Sequence, residues 1–291
     1  MIPKEILKNI RRIQITTSRM ATDVFAGHYH SVFKGHGMEF EEVREYQPGD
    51  DIRSIDWNVT ARTGHPFIKK FMEERELTIM LLLDISASSA FGTVNRLKNR
   101  LAAELCSVLA MSAIKNNDRV GLISFTDRIE QFIPPKKGLR HVLRIIREAL
   151  YFRPTGTGTD IAGALEYLNR TTSRKSICFI ISDFYTEDIK KALSIANKRH
   201  DLIAVSVTDP RELSLPNMGL TELEDAESGK RFLVDTSNKA VRTRFEANAA
   251  RMVQERQALF RSVNVDHIAV KTDEPYTRAL YSFFRMRERR V

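Results

Sequence analysis

The chain has 291 residues, 42% of them hydrophobic, with 46 Lys and Arg against 37 Asp and Glu for a formal charge of +9. Hydrophobic content at that level is ordinary for a globular protein with a sizeable core, while no apolar run approaches the roughly 18 residues of a membrane helix. The start, Met1 to Lys8, is charged within its first turns and has no signal-type apolar region, so the expected location is the cytoplasm.

The positive excess points to acidic partners: nucleic acid, an anionic membrane surface or an acidic protein. It does not choose among them. Residues 3–22 place Ile6, Leu7, Ile10, Ile13 and Met20 at helical spacing among Lys and Arg, which predicts an amphipathic helix docked by its apolar face. The next stretch, 23–76, differs in character. It alternates at Met38–Glu41, turns at Pro48-Gly49-Asp50-Asp51, and looks extended again at Phe67–Phe71. Asp51 is placed to cap a short helix through Ile55 and Trp57. A small, mostly β subdomain is expected here. Arg44, Arg53 and Arg62 alternate with Glu45, Asp50, Asp51 and Asp56, and locally balanced signs favour a buried ion-pair network. Trp57, the only Trp, is expected to anchor the core rather than to form an exposed hot spot.

From Leu77 the pattern becomes strand, helix, strand, helix. Strand 77–83 is followed by helix 94–115, whose stripe is Leu97, Leu101, Leu105, Val108 and Leu109. Strand 119–125 and an antiparallel edge strand 129–133 come next, the latter stopped by Pro134-Pro135. Helices 138–152 and 161–172, strand 176–182, helix 187–199, strand 202–208, hairpin 219–235, helix 239–262 and strand 265–270 follow. Alternation of this kind predicts a doubly wound, mostly parallel α/β sheet over 77–270. Residues 271–291 read as a basic C-terminal helix with Arg285, Arg287, Arg289 and Arg290 on a solvated face and Phe283-Phe284 as its anchor. Cys106 and Cys178 lie in apolar segments and read as buried small hydrophobes.

The chemistry concentrates where the first of these strands ends. Leu77–Leu83 is apolar without clean alternation, which is the pattern of a strand buried on both faces. It runs into Asp84, Ser86 and Ser88, which in extended chain point to one side. Thr159, with Asp160 beside it, and Asp183 stand at the ends of other segments of the same sheet. Ligands of open α/β sheets bind at that carboxyl edge, near the switch in strand order. Carboxylates and hydroxyls with no His or Cys suit Mg²⁺, Mn²⁺ or Ca²⁺ rather than zinc.

These segments, Asp84-Ile85-Ser86-Ala87-Ser88, Gly158-Thr159-Asp160-Ile161 and Ile181-Ser182-Asp183, resemble the metal-ion-dependent adhesion site of von Willebrand factor type A domains. Asp118 to Phe125 is similar to the second strand of those domains. The resemblance covers roughly residues 77–270. It implies a type A-like fold with Asp84, Ser86, Ser88, Thr159 and Asp183 as cation ligands, and a partner's acidic side chain completing the shell. Ser89 departs from the Met or other apolar residue common at that position.

A second resemblance is more specific. Gly37-Met38-Glu39-Phe40, Arg44-Glu45-Tyr46, Pro48-Gly49-Asp50-Asp51-Ile52-Arg53, Ile55-Asp56-Trp57, Thr60-Ala61-Arg62 and Glu73-Glu74-Arg75 resemble the bacterial domain of unknown function 58 family. Members place such a block directly before a type A-like domain and are often encoded beside MoxR-type AAA+ ATPases. The resemblance implies an accessory to such an ATPase in protein maturation or complex assembly, and no demonstrated reaction.

Other signals are weaker. His28, His30 and His36 cluster without the further ligands zinc needs. Thr155-Gly156-Thr157-Gly158-Thr159 lacks the Gly-Lys-Ser/Thr ending of a P-loop, and a short loop approaching a cation explains its glycines better. The expected function is therefore metal-dependent protein recognition without catalysis. A hydrolase or phosphatase using the same cation is the competing class, and nucleic-acid binding through the basic charge is a third, for which no module is visible.

Overall fold

The structure is a computed structural model and describes residues 38–73, 76–93, 96–186 and 188–290. The expected helix over 3–22 and the three clustered histidines lie outside the described residues. The described chain forms two compact units, divided between Leu77 and Thr78.

The smaller unit is a hairpin with a short helical insert. Strand β1 (Met38–Glu45) pairs antiparallel with β2 (Phe67–Glu73), and a register shift between Phe40 and Glu42 marks a bulge. Between them Asp51 caps a 3-10 turn at Ile52–Ser54, its carboxylate accepting from Arg53 N at 3.0 Å. Asp56 caps helix α1 (Trp57–Thr63), accepting from Asn58 N and Val59 N, and Gly64 closes it in the left-handed conformation at φ 78°. Around these caps the charges do not form the expected buried network: Asp51 accepts from a backbone amide, Arg53 and Arg62 are exposed, and Arg44 pairs with Asp50 at 2.7 Å near the surface. Trp57 is 67% exposed, so it does not anchor a core. A seven-residue helix that opens on Trp57 has too little apolar surface around it to bury an indole.

The larger unit is built on a six-stranded sheet in the order β10-β7-β6-β3-β4-β5. Its strands are β3 (Thr78–Asp84), β4 (Arg119–Phe125), β5 (Ile129–Lys136), β6 (Ile177–Ser182), β7 (Asp201–Thr208) and β10 (Asp266–Lys271). All neighbours are parallel except β4 and β5. The helices are α2 (Lys98–Lys115), α3 (Leu139–Tyr151), α4 (Ile161–Thr171), α5 (Lys190–Arg199), the one-turn α6 (Pro210–Leu213), α7 (Lys239–Ser262) and α8 (Tyr276–Glu288). A separate two-stranded hairpin, β8 (Leu220–Glu224) with β9 (Arg231–Asp235), stands between α6 and α7. This is the doubly wound α/β architecture that the alternating pattern predicts.

Burial explains why β3 reads as uniformly apolar. Ile79 to Leu83 are all essentially inaccessible. Met80 and Leu82 join the core under α4, α5 and α7, together with Ile123, Ile180 and Phe260. Ile79, Leu81 and Leu83 alternate to the opposite face, where α2 packs on β3. A strand covered on both faces has no polar side, so alternation disappears.

Two boundaries and one helix face differ from expectation. Helix α2 starts at Lys98, and Leu97 is 44% exposed while Lys98 is 2% exposed. Strand β5 continues through Pro134 and Pro135 to Lys136. It does so because β5 is an edge strand and its pairing with β4 slips between Val120 and Leu122, where missing amide protons cost no ladder bond. The solvated face expected for α8 is partly consumed. Phe283 and Phe284 are buried as expected, but Arg287 donates to Asp201 at 2.5 and 2.8 Å and to Asp266 at 2.6 Å. Arg290 adds a bond to Asp266 at 2.9 Å. Asp201 and Asp266 open β7 and β10, so α8 ties down the amino ends of two neighbouring strands. Both cysteines are buried and unpaired, and burial pushes their thiols upward, away from reactivity.

Two measurements check this packing. Leu82→Ala empties the core beside Phe260 and Ile180, and urea unfolding should show a loss of about 2–5 kcal/mol. His267 sits against the Phe260 ring and shares a hydrogen bond with Ser206 Oγ, and burial, with Arg256 nearby, lowers its pKa to about 4. The unfolded chain then takes up a proton before the folded one as pH falls from about 6.5. Stability present above that pH should therefore decline toward pH 4, and the slope should be shallower in His267→Gln.

Candidate metal centre

The order of strands fixes where polar side chains can meet. From β3 the chain moves outward to β4 on one side, then returns to lay β6 on the other. The carboxyl ends of β3 and β6 therefore open on the switch point, where no helix connection fills the crevice. Leu83 pairs with Ile181, which sets Asp84 beside Ser182 and Asp183 just beyond it.

Asp84 is buried, and both its oxygens accept hydrogen bonds. Oδ1 accepts from Ser86 N at 3.0 Å, and Oδ2 accepts from Ser182 Oγ at 2.5 Å. The first of these bonds bends the chain out of the strand and brings the Ser86 and Ser88 hydroxyls within 3.0 Å of each other. A 3-10 turn at Ala87–Ala90 follows, braced by Ser89 Oγ on the Ser86 carbonyl at 2.7 Å. Ser89 thus has a local structural task in the position where an apolar residue is common.

Asp183 is equally constrained. Its Oδ1 accepts from Tyr185 N at 3.2 Å, and its carbonyl accepts from Arg256 Nη1 at 2.6 Å. Phe184 adopts a left-handed φ of 57°, which folds its amide back onto Ser182 Oγ at 3.0 Å. Its ring is held edge-on to Phe260. Asp183 Oδ2 accepts from Lys98 Nζ at 2.8 Å, and the same ammonium donates to Glu212 Oε1 at 2.5 Å. Burial disfavours the Lys98 charge, but the two carboxylates outweigh it and hold its pKa above the usual lysine value. Glu212 is itself pushed upward by burial despite Lys98. It also closes a capping box with Asp209 at the start of α6.

Thr159 arrives on a separate loop. Ala87 N donates to the Thr157 carbonyl at 2.9 Å, which ties that loop to the turn after β3. Glu130 holds its other end by accepting from Thr155 N and Gly156 N at 3.0 and 2.7 Å. Gly156 is required by close approach: a Cβ there would stand 2.0 Å from Asp127 Oδ1 and 2.3 Å from Thr126 Oγ1. Packing against the β4–β5 turn, not a cation, therefore accounts for this glycine. Asp160 caps α4 through Gly163 N at 2.9 Å, so it belongs to the helix. Thr159 Oγ1 donates to Glu227 Oε1 at 2.8 Å.

The structure thus brings Asp84, Ser86, Ser88 and Asp183 to one sheet edge, with the Thr159 loop fastened to the same turn. Among the described residues no three His, Cys, Asp or Glu side chains gather as a metal group, so the set rests on two carboxylates and three hydroxyls. It fits a hard cation on two grounds. Every donor is an oxygen. In addition, burial first, and the Asp183 charge second, push Asp84 up to about 6, so the edge holds more negative charge than its surroundings stabilise.

The family model for the protein of unknown function DUF58 matches residues 42–255. The chain belongs to the DUF58 family. An uncharacterized protein of Mycobacterium tuberculosis, Rv1480, is 31% identical over 285 residues, which is 96% of this chain and 89% of that protein. Among solved structures, this DUF58 chain is similar to an aerotolerance-related membrane protein from Bacteroides fragilis, at TM-score 0.49 and 16% identity over 74% of this chain and 100% of that one. It is also similar to BatB from Bacteroides thetaiotaomicron, at TM-score 0.48 and 18% identity over 73% and 99% of the two chains.

Sequence reasoning missed Lys98, Glu212, Ser182 and Glu227. For Lys98 a signal existed. It precedes Leu101 and Leu105 by three and seven residues, so it falls on the apolar stripe, where a charge needs a buried partner. Removing it should be costly. Lys98→Met leaves Asp183 and Glu212 facing each other in the interior, and urea unfolding should register a loss of about 3–5 kcal/mol. Adding Asp183→Asn and Glu212→Gln should return part of it, since the three groups act as a unit.

Proposed function

We propose that this DUF58 chain is a cation-dependent protein-recognition module of the bacterial cytoplasm. In this reading Asp84, Ser86, Ser88, Thr159 and Asp183 would hold Mg²⁺, or Mn²⁺ or Ca²⁺, and an acidic side chain of a partner would complete the shell. The bound ion would supply an electrophilic point for that carboxylate. The observation that carries the reading is the juxtaposition of Asp84 and Asp183 at the switch point, with two serine hydroxyls 3.0 Å apart beside them. The expected partner is a MoxR-type AAA+ ATPase or its client, as the family resemblance implies.

The chain's own residues have distinct parts in this mechanism. Ser182 and the Ser86 amide orient the Asp84 carboxylate. Lys98 neutralises one face of Asp183 and fixes its rotamer. Together they present oxygens without needing the partner to organise them, which lowers the ordering cost of association. An enzymatic reading needs a base or a cation free to position phosphate. Lys98 is committed to two carboxylates, so it argues for binding rather than turnover.

The test has two arms. Mg²⁺ at about 100 times its Kd should add about 2.7 kcal/mol to wild-type stability, seen as a raised melting temperature, and Asp84→Ala should abolish the gain. Pull-down from the native host should recover an AAA+ ATPase, with chelator or Asp84→Ala removing it. Capture that ignores both would rule the mechanism out, and hydrolytic turnover lost in Asp84→Ala would replace it with the enzymatic one.

A further inference from the structure

The main sheet has two edges, and the chain treats them differently. On one flank β5 carries Pro134 and Pro135. On the other, β10 has neither proline nor bulge. Its parallel register with β7 runs unbroken from Asp266 to Lys271, and among the described residues β7 is the one strand that pairs with it. Just past the strand, the Thr272 amide donates to the Thr208 carbonyl at 3.1 Å. Amides alternate in direction along a strand, so those of Val270 and Ile268 also turn to β7, and those of Lys271 and Ala269 turn outward. Ala269 is exposed, and its methyl is too small to shield that outward row. An edge of this kind is a template for a further strand.

Beside this edge lies a groove of about 200 Å³ between β10 and α8. Val270 and Tyr276, both buried, line it together with Ala279, and Arg278 and Ser282 stand exposed around it. Small-molecule sites enclose roughly 300–1,000 Å³, so the groove suits one side chain of a docked strand better than a whole ligand. Strand addition uses these two features together. Main-chain bonds at the edge give affinity, and a pocket beside it gives specificity.

Charge selects the occupant. The lining carboxylate, Glu274, is engaged by Lys271 at 3.3 Å, and Asp273, in the turn before α8, does not line the groove. No carboxylate pairs with Arg278 among the described residues. Arg285, two turns further along the same side of α8, is exposed as well. A segment bearing carboxylates therefore complements this flank, and a basic one does not.

We propose that the β10 edge and its groove dock an extended, acidic segment of a partner protein. The segment adds to the sheet as a new outer strand, places one apolar side chain in the groove, and sets its carboxylates against Arg278 and Arg285. The surface is built from β10 and α8 alone, so it stands independently of the cation reading.

The experiment uses the full chain and labelled short peptides followed by fluorescence anisotropy. One alternates Val and Glu, one alternates Val and Lys, and the third is the Val-Glu peptide with every amide N-methylated, which keeps the charge and removes the strand donors. The Val-Glu peptide should bind and slow hydrogen exchange over residues 266–271. Its affinity should fall roughly tenfold in Arg278→Glu, an exposed substitution that should melt as wild type does. Ala269→Pro should abolish binding, and because that amide faces outward it removes no bond to β7. Binding that survives N-methylation or Ala269→Pro overturns strand addition, and equal affinity for the Val-Lys peptide overturns the acidic occupant. Binding of none of the peptides refutes the proposal. So does a concentration-dependent dimer that Ala269→Pro abolishes, which would make a second copy the occupant.

Discussion

Two carboxylates meet at the centre of this sheet, and the surroundings of Asp84 and Asp183 are arranged around that repulsion. The parallel register of β3 and β6 sets them side by side. Neither can be satisfied by water, because both are buried. Hydrogen bonds from Ser182 and the Ser86 amide offset part of the cost at Asp84, and the Lys98 ammonium offsets it at Asp183. The compensation is uneven. Asp183 has a full counter-charge, and Asp84 has only dipoles. That asymmetry gives the edge its direction: one side is internally neutralised, and the other faces the serine hydroxyls and stays short of positive charge.

The same asymmetry gives the two carboxylates different surroundings. Lys98 links α2 to the end of β6 and, through Glu212, to the start of α6. It is a staple between layers that also sets the orientation of the Asp183 carboxylate. A buried pair of this kind is poor evidence for stability, since an apolar isostere can serve as well. Its value here is geometric, because an apolar group could not hold the Asp183 carboxylate in one rotamer.

Much of the fold was legible because the sheet is covered on both faces. Continuous apolar runs at Ile79–Leu83 and Ile177–Ile181 cannot be amphipathic, and the polar residues after them mark where each strand leaves the core. The ligand candidates were legible for the same reason. What was not legible involves pairing across long sequence distance. Thr159 with Glu227 leaves no local pattern, and the stripe position of Lys98 signals burial but not Asp183 as its partner. Trp57 failed in the other direction. Its residue type argues for a core, but the small unit around it is a hairpin and one short helix, so exposure wins. The balanced charges near it misled similarly, because Asp51 caps a backbone amide two residues on while Arg53 and Arg62 face solvent.

The prolines at the end of β5 have a consequence for how this molecule meets others. Pro134 and Pro135 sit on the outermost strand of the sheet, where a row of free amides would otherwise template another chain. Two consecutive residues without an N–H interrupt that row and kink it. Growth of the sheet by lateral addition is blocked on that flank, and with it one common route to polymerisation. On that flank the backbone is silent, and any contact made there is left to side chains.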